Sequence, residues 1–352
     1  MTVVPESILG AGRVGALSDV RAGRRNRSLA VAAIVGIPAS AVFLFLAIRG
    51  ADLGAVWLTL QDVRAVPLAA AVACIGVVYW LQAARWRKIA DTRLGQRQFV
   101  EMVVAGLAVN NVLPGRVGDL LRARWVSRGA FSGGRGLATV VLDRGFDILA
   151  LAVFLLVSLP FVTDAAWADR IVLGALLVLA LLAAAIAAAR SYTRRRPRGR
   201  RVHRRLPRRF VRDTLEGLSD PLSVPRAAVW SGLSLAAWGA WAVAAMFAGR
   251  AVGIELTLVE AVFVTAALNL GVAIPSSPGF VGTYQWLGVA ALGVFGYSSE
   301  AGLAFAIVMQ AVWFVPTTLV GAVLLVRSSR RGWQVGAPAD APSASYGRTI
   351  RR

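Results

Sequence analysis

Long apolar segments, separated by short polar ones, run along most of this chain. Six of them approach the roughly 20 apolar residues that a helix needs to cross a bilayer. They are Ser28–Ile48, Val66–Ala83, Leu137–Leu159, Ile171–Ala189, Ala228–Gly249 and Ala301–Val326. The composition agrees, because 57% of the 352 residues are hydrophobic and the mean hydropathy is +0.64. We therefore predict an all-α polytopic membrane protein with six full spans.

Two further apolar segments are interrupted by Pro-Gly turns. Phe99–Leu113 is short and ends at Pro114-Gly115, whereas Leu258–Ile274 leads into Pro278-Gly279 and then a second apolar run to Gly296. A complete crossing by the first segment would place the arginines of 116–135 outside the cell, against the positive-inside tendency. We therefore predict two opposed re-entrant hairpins, with Phe99–Arg135 entering from the cytoplasm and Leu258–Gly296 from the exterior.

Basic residues are concentrated in a few segments. Most of the 39 Lys and Arg residues lie in 1–27, 85–97, 116–135, 190–226 and 327–352. Because positive loops tend to stay inside, we expect a cytoplasmic-membrane protein with both termini in the cytoplasm. This divides the chain into a basic tail (1–27), a membrane domain (28–327) with a basic loop at 190–226, and a disordered tail (328–352).

The arginine-rich stretch Arg190–Arg212 has two main interpretations. It sets the topology, which we favour, or it docks on anionic lipid, at about 1 kcal/mol per basic residue near the surface. Nucleic acid is the weakest candidate partner, because aromatic residues are sparse in this stretch and cytoplasmic loops already explain the net charge of +21.

Ionisable residues interrupt the third predicted span. Asp143, Arg144 and Asp147 lie within five positions, and each ionisable residue at bilayer depth costs at least about 2.5–3.5 kcal/mol. We expect them to form one buried polar cluster with Arg116 and Asp119, and with Asn110 and Asn111. These five charges sum to −1, so binding a phosphate would also need Arg122, Arg124 or backbone dipoles. The alternative is a neutralised Arg–Asp pair that joins this helix to the first hairpin.

The two Pro-Gly turns share a five-residue pattern. Pro114-Gly115-Arg116-Val117-Gly118 matches Pro278-Gly279-Phe280-Val281-Gly282 at four positions. Broken segments entering from opposite faces are typical of inverted-repeat transporters, so we predict a possible inverted repeat. Glycine also lets backbone donors at a following helix N-terminus approach an anion closely. A simple turn between packed helices is the alternative interpretation.

Three motifs in this order resemble a known family. They are Asn110–Arg122 (NNVLPGRVGDLLR), Asp143–Asp147 (DRGFD) and Pro278–Gln285 (PGFVGTYQ). Together they resemble the flippase-like integral membrane family related to the transmembrane region of lysylphosphatidylglycerol synthases, over about 28–327. The motifs and the resemblance predict a set of substrate-binding residues: Asn110, Asn111, Pro114, Gly115, Arg116, Gly118, Asp119, Arg122, Asp143, Arg144, Asp147, Pro278, Gly279, Gly282, Gln285 and Gln310.

The chain departs from the family pattern at informative positions. Asp119 and Asp143 stand where the family usually has glutamate, and Gln285 and Gln310 stand where it usually has glutamate and arginine. If those two sites face one another, both members of an ion pair have been lost together, which leaves no charge unpaired. Larger relatives carry a soluble aminoacyl-transferase domain after the membrane region. The short stretch after Val326 leads us to expect no such activity.

Conventional catalytic chemistry has little support. The single Cys74 excludes an intrachain disulfide, and the single His203 excludes histidine-based metal sites, so we expect no metal and no cofactor. No phosphate-binding nucleotide loop is present. An intramembrane transferase using Asp143 or Asp147 as a base is therefore the least favoured function.

Two non-enzymatic functions remain. The favoured one is translocation of an anionic phospholipid or lipid-linked precursor across the membrane. Arg116 and Arg122 would hold the headgroup phosphate, and the turn Pro278–Gly282 would receive it on the outer side. The alternative is a non-catalytic accessory or scaffold protein for an envelope glycosyltransferase or lipid-modifying enzyme. The expected partners are anionic membrane lipids and, in the alternative, that enzyme.

Overall fold

The described residues form a bundle of helices. The computed structural model describes residues 38–113, 116–127, 132–162, 206–219, 223–272 and 278–330, with scattered positions between 173 and 191. Within these ranges the regular secondary structure is helical, and no strand is present. The prediction of an all-α protein is therefore confirmed.

The helix bounds show where each predicted segment begins and ends. They are α1 (Pro38–Ile48), α2 (Leu53–Gln61), α3 (Ala65–Ala90), α4 (Gln96–Val112), α5 (Val117–Ser127), α6 (Gly133–Ser158), α7 (Leu206–Ser219), α8 (Val224–Ala251), α9 (Leu258–Gly271), α10 (Thr283–Gly293) and α11 (Ser299–Arg330). Short 3₁₀ turns follow α6 at Leu159–Phe161 and precede α10 at Pro278–Phe280.

Among the helices that the structure describes, three are long and apolar enough to cross a membrane by length and composition. They are α3, α8 and the Ser299–Arg327 part of α11, and each contains one of the predicted spans. α6 has the necessary length, 26 residues, but its three ionisable residues between 143 and 147 make it too polar to qualify on composition alone. The predicted span Ile171–Ala189 lies outside the described residues except at scattered positions.

The first predicted span is described only in its second half, and α1 ends at Ile48, where that span was predicted to end. Its beginning, 28–37, lies outside the described residues, and α1 meets the span criterion only together with α2, across a bend of 88°. Asp52 explains the restart after the bend, because its carboxylate accepts a hydrogen bond of 2.8 Å from the Gly54 amide and caps α2. The bend follows the predicted segment Ser28–Ile48, and the short helix α2 beyond it was not predicted.

The basic segment 190–226 contains a helix that the sequence did not predict. α7 packs on the start of α6, where a Cβ on Gly134 would lie 2.4 Å from the Phe210 carbonyl oxygen. An Arg212–Glu216 ion pair of 2.7 Å, one turn apart, stabilises α7 modestly. The tails 1–27 and 328–352 lie outside the described residues, apart from the backbone of 328–330.

Both regions around the Pro-Gly turns fold back as helical hairpins. α4 packs against α5, and Gly118 makes the close contact, because a Cβ there would lie 1.9 Å from the Gly106 carbonyl oxygen. The Gly118 amide also donates to Asn110 Oδ1 at 2.7 Å. α9 packs against α10 through Gly271, which leaves space for the Leu287 side chain. Helix-to-helix packing of this kind supports the predicted pairing within each segment.

Replacing Gly118 by alanine should separate the α4–α5 hairpin. The new methyl group would overlap backbone rather than a flexible side chain, so we expect a loss of roughly 1–3 kcal/mol in the free energy of unfolding. Gly239→Ala in α8 is the matched control, because no atom lies within 4 Å of its added Cβ. Thermal unfolding of the purified protein in detergent measures both changes. Equal melting temperatures for the two variants would contradict the close packing.

Candidate functional site

Two aspartates of α6 share a buried arginine. Asp143 and Asp147 lie one turn apart and therefore on the same face of the helix. Arg85 of α3 reaches both, with guanidinium nitrogens 2.8 Å from Asp143 Oδ1 and 2.8 Å from Asp147 Oδ1. It also donates to Ser234 Oγ of α8 at 2.7 Å. One guanidinium thus joins three helices.

Asp143 and Asp147 also contact two further arginines, and both of these arginines contact Asp119 of α5. Arg122 of α5 lies 2.9 Å from Asp143 Oδ2 and 3.5 Å from Asp119 Oδ1. Arg144 lies 2.8 Å from Asp119 Oδ1 and 3.3 Å from Asp147 Oδ2. The contacts close into an alternating cycle, which we call the ion-pair ring: Arg85, Asp143, Arg122, Asp119, Arg144 and Asp147. Three positive and three negative groups make the ring neutral.

The ring is deeply buried, which explains its many partners. Arg85, Arg122 and Asp143 are each at most 2% exposed. A charge moved out of water costs several kcal/mol unless partners and hydrogen bonds compensate, and here each charge has two opposite neighbours. Trp238 of α8 donates its indole N–H to Asp147 at 3.0 Å, and the Arg122 guanidinium lies 4.3 Å from the Trp86 ring centroid.

Arg116 lies outside the ring. It is exposed and forms no ion pair with any residue that the structure describes. Its backbone adopts the left-handed region, with φ of 54°, immediately before α5. That conformation is uncommon for a residue with a side chain and costs of order 1–3 kcal/mol. With the neutral ring, Arg116 gives the site a net charge of +1, which corrects the predicted −1, because that sum of five charges contained neither Arg85 nor Arg122.

A cavity of about 510 Å³ lies beside the ring. Its size falls in the usual range for small-molecule sites, roughly 300–1,000 Å³. Polar and charged groups on its wall are Gln82, Asn110, Asn111, Arg116, Asp119, Arg144, Asp147, Asn269 and Thr317. Aromatic groups on its wall are Tyr79, Trp238, Trp241, Phe280, Tyr284 and Trp313. The cavity therefore offers both charged and aromatic surface.

The two Pro-Gly motifs share the backbone conformation of one matched residue as well as their sequence. Phe280, which corresponds to Arg116 in the five-residue match, is also left-handed, with φ of 60°. Both side chains line the cavity. Gly282 has φ of 88°, and a Cβ there would lie 2.1 Å from the Ser40 carbonyl oxygen, so only glycine fits. The matched glycine of the first motif, Gly118, instead lies within α5, so the two turns agree at one backbone position and differ at another.

The turns also approach each other. A Cβ on Gly279 would lie 3.8 Å from the Asn111 carbonyl oxygen, and Asn111 donates from its side chain to Thr318 of α11 at 2.9 Å. The two motifs, far apart in sequence, therefore meet at one wall of the bundle.

Gln285 and Gln310 face one another. This is the arrangement expected if they replace the two members of an ion pair that the family usually has at these positions. Their side-chain amides are hydrogen bonded to each other. Gln285 Oε1 also accepts from the Gly282 amide at 2.6 Å, and Gln310 donates to the Gly279 carbonyl. These two glutamines hold the second turn in place and are not among the residues lining the cavity.

The structure brings most of the predicted site residues together, in two layers. Asn110, Asn111, Arg116, Asp119, Arg144 and Asp147 line the cavity. Arg122 and Asp143 lie behind its wall in the ion-pair ring, so the predicted contact of Arg122 with a headgroup is not supported by its position. Gly118 packs the hairpin. Pro114 and Gly115 lie outside the described residues, and Pro278 begins the second turn.

Sequence reasoning missed Arg85, Ser234 and Trp238. Arg85 was assigned to a basic segment after a span ending at Ala83, but α3 continues to Ala90. The sequence did contain a sign that the helix continues, because the residues that α3 buries recur at helical spacing through Trp86 and Ile89. Ser234 and Trp238 lie one turn apart in an otherwise apolar span and carried no separate signal. Within the described ranges, no group of three or more His, Cys, Asp or Glu side chains could hold a metal ion.

A buried ring of ion pairs, a cavity in the small-molecule size range and long apolar helices define an integral membrane protein with a polar interior. The family described as the lysylphosphatidylglycerol synthase transmembrane region matches residues 28–321 of this chain. The chain belongs to that family, as the sequence motifs predicted. The match indicates a membrane role related to lipid. Comparison with curated proteins found no match.

Proposed function

We propose that this protein translocates an anionic amphiphile, a phospholipid or a lipid-linked precursor, across the cytoplasmic membrane. The proposal rests on the position and charge of Arg116. Arg116 is a cation without an ion pair among the described residues, and it lines a cavity that also has an aromatic surface. A headgroup phosphate provides the missing counter-ion, and the lipid chain provides apolar contact for the aromatic rings.

The arrangement suggests how a lipid headgroup would move. The Arg116 guanidinium matches phosphate oxygens in geometry and is weakly hydrated, so it is suited to an anion leaving water. Phe280 lines the same cavity from the second turn and would contact the substrate on its way to the other leaflet. The proposed role is non-enzymatic, so a gradient, a partner or consumption of the substrate would supply the driving force.

The topology that we propose with this function has six full spans and two opposed re-entrant hairpins, α4–α5 from the cytoplasm and α9–α10 from the exterior. Both termini would be cytoplasmic. Single cysteines at Ser132 and Ser298, two exposed positions, test it in a Cys74→Ala background. A membrane-impermeant thiol reagent should label Ser298→Cys in intact cells and leave Ser132→Cys unlabelled until the membrane is opened. Labelling of Ser132→Cys from outside would refute the inner hairpin.

Reconstitution in liposomes tests translocation directly. Fluorescent anionic phospholipid, fluorescent zwitterionic phospholipid and a fluorescent lipid-linked saccharide are incorporated separately, and chemical quenching from outside reports exchange between leaflets. We expect the protein to accelerate exchange of at least one anionic lipid over protein-free liposomes. Rates equal to protein-free liposomes for every lipid, together with retained lipid binding, would favour the alternative of an accessory protein for an envelope enzyme.

A further inference from the structure

We propose that the ion-pair ring sets the charge selectivity of the cavity, and that Arg85 is the positioning residue that keeps Arg116 free for an anion. Arg85 does not line the cavity and would not touch the substrate. The inference rests on the proposed function, because it explains how the anion preference arises. It assigns a role to the one charged group of the ring that lies on α3.

Arg116 has potential counter-ions close by. Asp119 and Asp147 line the same cavity, and either carboxylate could neutralise Arg116 in place of a substrate. Both are already engaged. Asp147 is held by Arg85 at 2.8 Å, Arg144 at 3.3 Å and the Trp238 indole at 3.0 Å.

The charge balance depends on a residue outside the cavity. Asp119, Asp147 and Arg144 sum to −1 on the cavity wall, so Arg116 alone would only bring that wall to zero. Behind the wall, the two positive charges of Arg85 and Arg122 outnumber the single negative charge of Asp143. The site as a whole is therefore positive by one charge. Arg85 adds its charge directly at Asp147, and its fork spans both carboxylates of α6, a geometry that lysine does not reproduce.

Changing the ring by one charge should therefore change the selectivity of the cavity. Arg85→Gln leaves the ring at −1 and removes the shorter of the two ion pairs of Asp147, which then also pairs with Arg116. The preference for anionic over zwitterionic lipid should therefore fall by roughly tenfold or more. Asp143→Asn has the opposite sign and preserves the side-chain volume. It leaves the ring at +1, and the preference should rise by a comparable factor.

The experiment measures equilibrium binding to the purified full chain in detergent. Short-chain phosphatidylglycerol and short-chain phosphatidylcholine are titrated by calorimetry, and the ratio of their affinities is the readout. Arg124→Gln is the matched control, because it removes the same charge from an exposed position of α5 outside the ring and the cavity. Its ratio should equal that of the unaltered protein.

A double variant separates charge setting from a structural role. Arg85→Gln with Asp147→Asn restores a neutral ring, so the anion preference should return towards that of the unaltered protein. If Arg85 were only a structural brace, the second substitution would remove further contacts and weaken binding again. A double variant with no recovery overturns the proposal.

The outcomes for the inference and for the proposed function are distinct. An unaltered protein that binds both lipids equally contradicts anion recognition and with it the proposed function. An unaltered protein that prefers phosphatidylglycerol, with the same ratio in Arg85→Gln and Asp143→Asn, overturns the role of the ring alone. If Arg85→Gln fails to fold, the predicted rise in Asp143→Asn decides the question.

Discussion

Asp143→Ala should destabilise the protein by about 3–5 kcal/mol, the largest loss that we expect from a single substitution. Asp143 contacts Arg85 and Arg122, both at most 2% exposed, so its removal leaves two buried cations with one carboxylate fewer. Breaking a buried ion pair from one side usually costs this much, because the remaining charge is neither paired nor hydrated. Denaturant or thermal unfolding in detergent measures the effect.

The control for this substitution is Asp62→Ala. Asp62 is exposed after α2 and forms no ion pair with the described residues, so its loss should change the free energy of unfolding by less than about 0.5 kcal/mol. Similar losses in the two variants would show that the ion-pair ring does not hold the bundle together. Asp143→Asn should fall between them, because its amide oxygen still accepts a hydrogen bond from an arginine.

Arg116→Ala should reduce anionic lipid exchange in the liposome assay at least tenfold, towards the protein-free rate. A hydrogen bond to a charged group is worth about 1.5–3 kcal/mol, and one factor of ten corresponds to about 1.4 kcal/mol. Because Arg116 is exposed and forms no ion pair with the described residues, its replacement should not lower stability. Arg116→Lys should retain part of the rate, since it keeps the charge and loses the planar fork.

Arg124→Ala is the matched control for exchange. Both arginines are exposed and belong to the same hairpin, but Arg124 does not line the 510 Å³ cavity. We expect its exchange rate to equal that of the unaltered protein. An unchanged rate in Arg116→Ala would remove the central support for translocation and favour an accessory role.

The two hairpins differ in the residue that they place at the equivalent turn position. The first presents the cation Arg116, and the second presents the aromatic ring of Phe280, both from left-handed backbone. The two turns are therefore chemically different at the cavity. In the proposed function, the first hairpin recognises the charge of the headgroup and the second contacts its apolar part.

Local sequence patterns predicted the helices and the candidate site to different degrees. Runs of apolar residues predicted α3, α8 and α11, because a span needs length and hydrophobicity that are visible in sequence. The short helix α2 was not predicted, since its start depends on a cap at Asp52 that apolar patterning does not show. The helix α7 was missed because its many arginines suggested a loop.

Local sequence patterns also predicted only part of the candidate site. Asp143, Arg144 and Asp147 stood out because charges are costly among apolar neighbours, and the predicted approach of Arg116 and Asp119 followed from that cost. The partner Arg85 was missed, because an arginine near the end of a span resembles the basic residues that flank most spans.

The sequence by itself determined the helical membrane class, the family and the motifs that meet at the cavity. These depend on composition, apolar length and short local patterns. The tertiary structure alone decided which charges are paired. Three aspartates of α5 and α6 form ion pairs with Arg85, Arg122 and Arg144. Arg116 lines the cavity and forms no ion pair with the described residues. Pairing depends on distances of a few ångströms between helices that are remote in sequence, and Coulomb interactions at that range determine which charge remains for a substrate.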